Sequence, residues 1–175
     1  MLKVTIPAIL LWLCSTVGMG QKHGSKVGWQ SPEEVTKQYM QQARPVIIDV
    51  YTEWCAYCKV MDRTTWSNPE VAAYISERFY AVKFDAEQRK PALWMDTTFE
   101  YKSAYKVHML AARWLQGNMV YPSTVIIIPG HPEEIVIPGV LKVAELEPML
   151  KYFGEGHYRT QAWVAFRQQY KRQWK

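Results

Sequence analysis

The side chains of this sequence with the most chemistry to offer are Cys55 and Cys58, in the stretch DVYTEWCAYCKVMD that runs from Asp49 to Asp62. A close thiol pair has three readings: a couple that cycles between dithiol and disulfide, half of a zinc site, or a structural bridge. Zinc needs four ligands, and His23, His108, His131 and His157 stand at none of the spacings of a finger or ribbon. A bridge across only Ala56 and Tyr57 closes too short a loop to serve as a scaffold, so its value is chemical. The redox reading explains most of the neighbourhood. A cysteine where a strand gives way to a helix meets unpaired backbone N–H groups and the positive end of the helix dipole, which favour a thiolate. In that position Cys55 is the exposed nucleophile, and Cys58, one turn later on the same helix face, is the resolving thiol.

The elements that must hold this pair are readable around it. Ser31-Pro32-Glu33-Glu34 carries an N-cap, a proline at the first helical position and acids against the dipole, and it predicts a helix ending near Gln42. Residues 46–51, VIIDVY, are a β-branched apolar run with the length of a buried parallel strand, so the cysteines follow a strand's end. Residues 57–65 have helical character, Asn68-Pro69-Glu70 restarts a helix to Arg78, and residues 80–84 form a second strand. A small hairpin is expected with 92–95 and 98–101 flanking Asp96-Thr97, then a helix over 105–116 with its stripe at 107, 110, 111, 114 and 115. Strands over 123–128 and 134–137 and a helix over 143–153 complete the order.

The chain of 175 residues, 49% hydrophobic and 21% charged, suits one domain with its own core. Residues 1–20 read as an export signal: Lys3, an apolar run over 4–13, then Gly18-Met19-Gly20 before a cut ahead of Gln21. An uncleaved anchor is the alternative, although the run is shorter than the roughly 20 residues that span a bilayer. Lipidation at Cys14 is the other, without the small residue expected before it. After cleavage only Cys55 and Cys58 remain. Residues 157–175 hold Arg159, Arg167, Lys171, Arg172 and Lys175 with no acid, interleaved with Trp163, Phe166, Tyr170 and Trp174. The rings fall on one face of a predicted helix over 160–174, which can pack on its own domain, lie on an anionic membrane or dock on a partner. No base-reading motif accompanies this charge, so nucleic acid is not an expected partner.

Trp54-Cys55-Ala56-Tyr57-Cys58-Lys59 after an apolar strand resembles the thioredoxin superfamily, most closely the C-terminal domains of membrane thiol:disulfide interchange proteins and their free-standing exported relatives. The resemblance covers residues 46–153. It implies an α/β thioredoxin fold: a central mixed β-sheet flanked by helices, here with an inserted segment, 87–106, before the cis-proline loop and an extra C-terminal helix. The expected organisation is a signal peptide over 1–20, a domain over 21–156 and a basic aromatic helix over 157–175. By position, Trp54 would shield the pair, and Asp49 would be a buried, unpaired carboxylate that exchanges a proton with the resolving thiol. Its alternative is a strand-edge aspartate bound to backbone. Tyr121-Pro122 matches the cis-proline loop against which a substrate strand pairs, the alternative being an ordinary trans proline; Tyr57 would lie on the same substrate face. His108 is expected to be packed or on the surface rather than catalytic.

The function so implied is exported, periplasmic thiol:disulfide exchange that uses only the redox-active Cys55–Cys58 disulfide, without metal or other cofactor. Tyr57 places no positive charge between the cysteines, unlike the histidine of strong oxidants, so a disulfide reductase is favoured over an oxidase or isomerase. Its partners would be disulfide-bearing exported proteins and a membrane electron donor. A non-catalytic binding module with incidental cysteines is the reading from a different class.

Overall fold

The computed structural model describes residues 26–174, so the expected export segment and Cys14 lie outside the described residues. The chain order is α1 (Pro32–Gln41), β1 (Val46–Tyr51), α2 (Ala56–Met61), α3 (Pro69–Arg78), β2 (Tyr80–Asp85), β3 (Ala92–Trp94), β4 (Thr97–Phe99), β5 (Tyr101–Lys102), β6 (Val107–His108), α4 (Met109–Trp114), β7 (Ser123–Ile127), β8 (Ile135–Pro138), α5 (Val143–Gly154) and α6 (Trp163–Gln169). A π-helical turn, Asp62–Trp66, continues α2. Local chemistry fixes the starts. Ser31 and Glu34 close a capping box on α1, and the Asn68 side chain accepts from the Glu70 and Val71 N–H groups at the head of α3.

The main sheet has the order β2-β1-β7-β8, with β1 and β2 parallel and the other neighbours antiparallel. This is the expected mixed sheet between helices. Alternation along β1 sends Ile47 into the core shared with α3 and α5, and Val46, Ile48 and Val50 into the core on the other face, with Val35, Leu110 and Trp114. Asp49 is two residues from Ile47 and therefore shares its face. The register sets it beside Lys83 of β2 and Thr124 of β7, a cross-strand row of three polar residues in a largely apolar sheet.

Several boundaries shift by a residue or two, and three differences from expectation have a visible local cause. The first hairpin turns at Met95-Asp96, one residue early, because Met95 takes the positive φ of 55° that the turn needs. The helix expected over 105–116 starts only at Met109: Lys106 has a φ of 53°, Val107 and His108 pair with β5, and the His108 ring caps α4 by accepting from the Leu110 N–H. The apolar stripe could not reveal this, since Val107 is buried whether it lies in strand or helix. The C-terminal helix expected to reach residue 174 ends at Gln169. Beyond it the backbone N–H groups of Gln173 and Trp174 donate to the fully buried Glu147 carboxylate of α5, at 2.6 and 3.1 Å, instead of to helical carbonyls. The Tyr170 hydroxyl donates to the same oxygen at 2.7 Å. Of the four rings, Phe166 and Trp163 pack on Tyr152 at 5.2 and 5.3 Å, and Trp174 packs on Tyr74 at 5.4 Å.

Candidate active site

Cys55 and Cys58 are joined as a disulfide at the head of α2. β1 delivers the chain to this point, and a turn closed by the Cys55 N–H on the Thr52 carbonyl makes Cys55 the N-cap. Its Sγ accepts from the Cys58 backbone N–H at 3.0 Å. That donor, and the helix end behind it, would stabilise a Cys55 thiolate. The exposure expected of Cys55 is absent from this oxidised state, however. Cys55 is 4% exposed and Cys58 3%, with the two sulfurs bonded to each other. In this state the two sulfurs differ in hydrogen bonding, through the N-cap contact to Cys55, and hardly in accessibility.

Trp54, just before the pair, and Tyr57, between its two cysteines, stand out in solvent, 66% and 70% exposed. The Trp54 indole is fixed on two sides: its Nε1–H donates to Glu87 Oε1 at 3.0 Å, and its ring meets Tyr121 edge-on at 6.0 Å. Tyr121 precedes Pro122 through a cis peptide bond, and Ser123 opens β7 directly after it. The structure thus gathers Trp54, Tyr121 and Pro122 at one end of the sheet beside the cysteines. Burial, with the nearby Glu87 and Asp85 carboxylates, pushes the Tyr121 hydroxyl up to about 12. Asp85 lies above the usual carboxylate range, through burial and then the charges of Glu53 and Glu87.

Asp49 is buried, 2% exposed, and its pKa is pushed up to about 6, chiefly by desolvation. It is not unpaired as expected. Lys83 Nζ lies 3.0 Å from Asp49 Oδ2 and also pairs with Asp62, while Asp49 Oδ1 has no hydrogen-bond partner among the described residues. Parallel pairing of β1 with β2 forces this arrangement, because it sets Lys83 directly beside Asp49. The ammonium is held over the Tyr51 and Trp29 rings, at 4.9 and 5.7 Å. Burial works against the lysine's charge, but the Asp49 and Asp62 carboxylates outweigh it and raise its pKa. A protonatable carboxylate thus sits under the sheet beside a lysine shared with a second, more exposed carboxylate.

Sequence reasoning missed Lys83, Asp62 and Glu87. A lone lysine inside the apolar strand YAVKFD was the available signal for the first, since a charge there demands a partner. Asp62 is aimed by a π turn that no pattern announced. His108 is buried, its Nε2 3.1 Å from the Lys90 carbonyl oxygen, and desolvation lowers its pKa; it is a packing and capping residue. Among the described residues, no group of three or more His, Cys, Asp or Glu is placed to hold a metal ion.

Residues 29–127 match the Thioredoxin-like family. Among curated proteins the chain is similar to the thiol:disulfide interchange protein DsbD of Pectobacterium atrosepticum, 26% identical over 68 residues, 37% of this chain and 12% of that protein. It is also similar to thiol:disulfide interchange protein DsbD 1 of Pseudomonas aeruginosa, 35% identical over 52 residues, 30% of this chain and 9% of that protein. The matches thus span about a tenth of the length of these relatives. Among solved structures, a thioredoxin from Thermus thermophilus superposes with a TM-score of 0.54 at 18% identity, covering 78% of this chain and 99% of that one. A thioredoxin-fold protein from Helicobacter pylori gives 0.56 at 15% identity, covering 83% and 92%. The fold is the thioredoxin fold.

Proposed function

Because the chain belongs to the Thioredoxin-like family and carries its cysteine pair bonded at a helix N-cap, we propose that this oxidoreductase works as a disulfide reductase on exported proteins. The reduced pair begins the cycle. A Cys55 thiolate, stabilised by the Cys58 N–H, attacks one sulfur of a substrate disulfide; a Cys55–substrate bond forms, and the other substrate sulfur leaves as a thiolate and takes a proton. Asp49 then receives the Cys58 thiol proton, and the Cys58 thiolate attacks Cys55. The second substrate sulfur leaves as a thiolate and takes up a proton, Asp49 gives its proton back, and the Cys55–Cys58 disulfide is left. Two electrons have passed to the substrate, and a membrane dithiol donor of the interchange type would return them. Trp54 covers the couple, while Tyr121-Pro122 and Tyr57 form the face on which an extended substrate segment lies.

The observation that carries the direction is Tyr57: an exposed, uncharged ring between the cysteines gives the thiolate none of the cationic stabilisation that makes a strong oxidant. Support for an exported, interchange-type setting comes from the residue 1–20 reading and from the similarity to the two DsbD proteins. Insulin reduction by dithiothreitol tests the reading. The protein should accelerate precipitation, and Cys55→Ser should abolish the acceleration. A rate equal to the uncatalysed one would leave a binding module instead.

A further inference from the structure

The charge of this protein is concentrated in one segment. Of its 21 lysines and arginines five lie in residues 157–175, where there is no acid, and the other 16 match its 16 acids. The net +5 is therefore the charge of the tail. We propose that the docked tail is a preformed basic face that holds the protein against an anionic lipid surface by charge alone.

Docking sorts the side chains. Glu147, buried in α5, takes hydrogen bonds from Tyr170, Gln173 and Trp174 and fixes the backbone on either side of Lys171 and Arg172. With Trp163, Phe166 and Trp174 packed on the domain, Arg159, Arg167, Lys171 and Arg172 are left exposed. Arg172 Nε is 3.8 Å from Glu147 Oε2; among the described residues no carboxylate pairs with Arg159, Arg167 or Lys171. An inserting amphipathic helix would need the aromatic rings free, and here they are used inward. Arg159 Nε donates to the neighbouring Tyr158 hydroxyl at 3.2 Å, which leaves its charge uncompensated. Exposed cations whose charge no carboxylate cancels suit the diffuse charge of a headgroup layer better than one shaped acidic groove on a protein. Each basic side chain near such a surface multiplies the partition by about fivefold at low ionic strength.

The test is co-sedimentation of the full chain with vesicles of phosphatidylcholine alone or with phosphatidylglycerol, comparing it with the Arg159→Gln/Arg167→Gln/Lys171→Gln triple variant. The apolar run near the N-terminus is the same in both chains and both lipids, so the difference isolates the tail. Arg172 stays in place beside Glu147. Binding should require phosphatidylglycerol at about 0.01 M salt, vanish near 1 M where the Debye length is about 3 Å, and weaken on the order of a hundredfold in the variant. An Arg159→Lys/Arg167→Lys variant should bind as the parent does. Equal binding to both lipids, no binding by the parent, or an undiminished triple variant would each overturn the proposal. So would retention on polyglutamate without retention on vesicles, which would name an acidic protein instead. None of these outcomes depends on the cysteines, so the proposed reductase activity stands or falls separately.

Discussion

Replacing Asp49 by Asn should change how stability depends on pH. The carboxyl is 2% exposed, and its pKa is pushed from 3.8 to about 6, with desolvation the leading cause. An acid whose folded pKa lies above its unfolded value stabilises the fold while protonated. That contribution is whole below about pH 3.8 and is lost as pH rises through about 6. The shift of roughly two units corresponds to about 3 kcal/mol at 1.36 kcal/mol per unit. Lys83, with its pKa raised, stays charged across this window and contributes no slope there. Urea unfolding of the oxidised protein and of Asp49→Asn should therefore give similar stabilities near pH 4. By pH 7.5 the variant should be ahead by up to about 3 kcal/mol relative to that starting point, or roughly 6–12 °C in Tm. Other titrating groups occur in both chains and largely cancel in the difference. Turnover should respond the other way, falling about a hundredfold as the proton acceptor is lost. A stability gap that is flat with pH, or one that increasingly favours the parent toward neutrality, would refute the reasoning: the Lys83 pair would then outweigh desolvation.

Brief iodoacetamide treatment of the reduced protein near neutral pH should label Cys55 before Cys58, and Cys58→Ser should accumulate mixed disulfides with substrates; preferential labelling of Cys58, read by peptide mass mapping, would reverse the assignment. Glu147→Ala should lower the melting temperature by about 5–10 °C, since three donors lose a buried acceptor, whereas Glu147→Gln keeps an acceptor and should cost less. Deleting residues 157–175 should lower the melting temperature by at least several degrees or cause aggregation, and an unchanged melt would show that the packed rings contribute little.

Much of the fold was legible because apolar runs and caps spoke alike. VIIDVY became β1 over the predicted residues, and Ser31-Pro32 and Asn68-Pro69 started helices where their chemistry required. The pair's place after β1 followed from the same run. What stayed hidden depended on contacts between distant parts of the chain. Lys83 meets Asp49 through parallel pairing, which a local pattern does not encode, and the reading of Asp49 as unpaired failed for that reason. The tail's aromatic spacing suggested a continuous helix, yet a buried carboxylate on α5 drew its last residues into an extended path. Cys55 was expected in the open from its position alone, while burial depends on tertiary surroundings that a helix start does not encode, and here the bonded pair is buried.

The central claim is reductive exchange through Cys55 and Cys58, and the reduction potential of that pair, measured by equilibration with glutathione buffers, tests it most directly. The uncharged Tyr57 between the cysteines predicts a value on the thioredoxin side of the scale, below about −200 mV. A potential near −120 mV, where strong oxidants lie, would contradict the account and reverse the direction of electron flow.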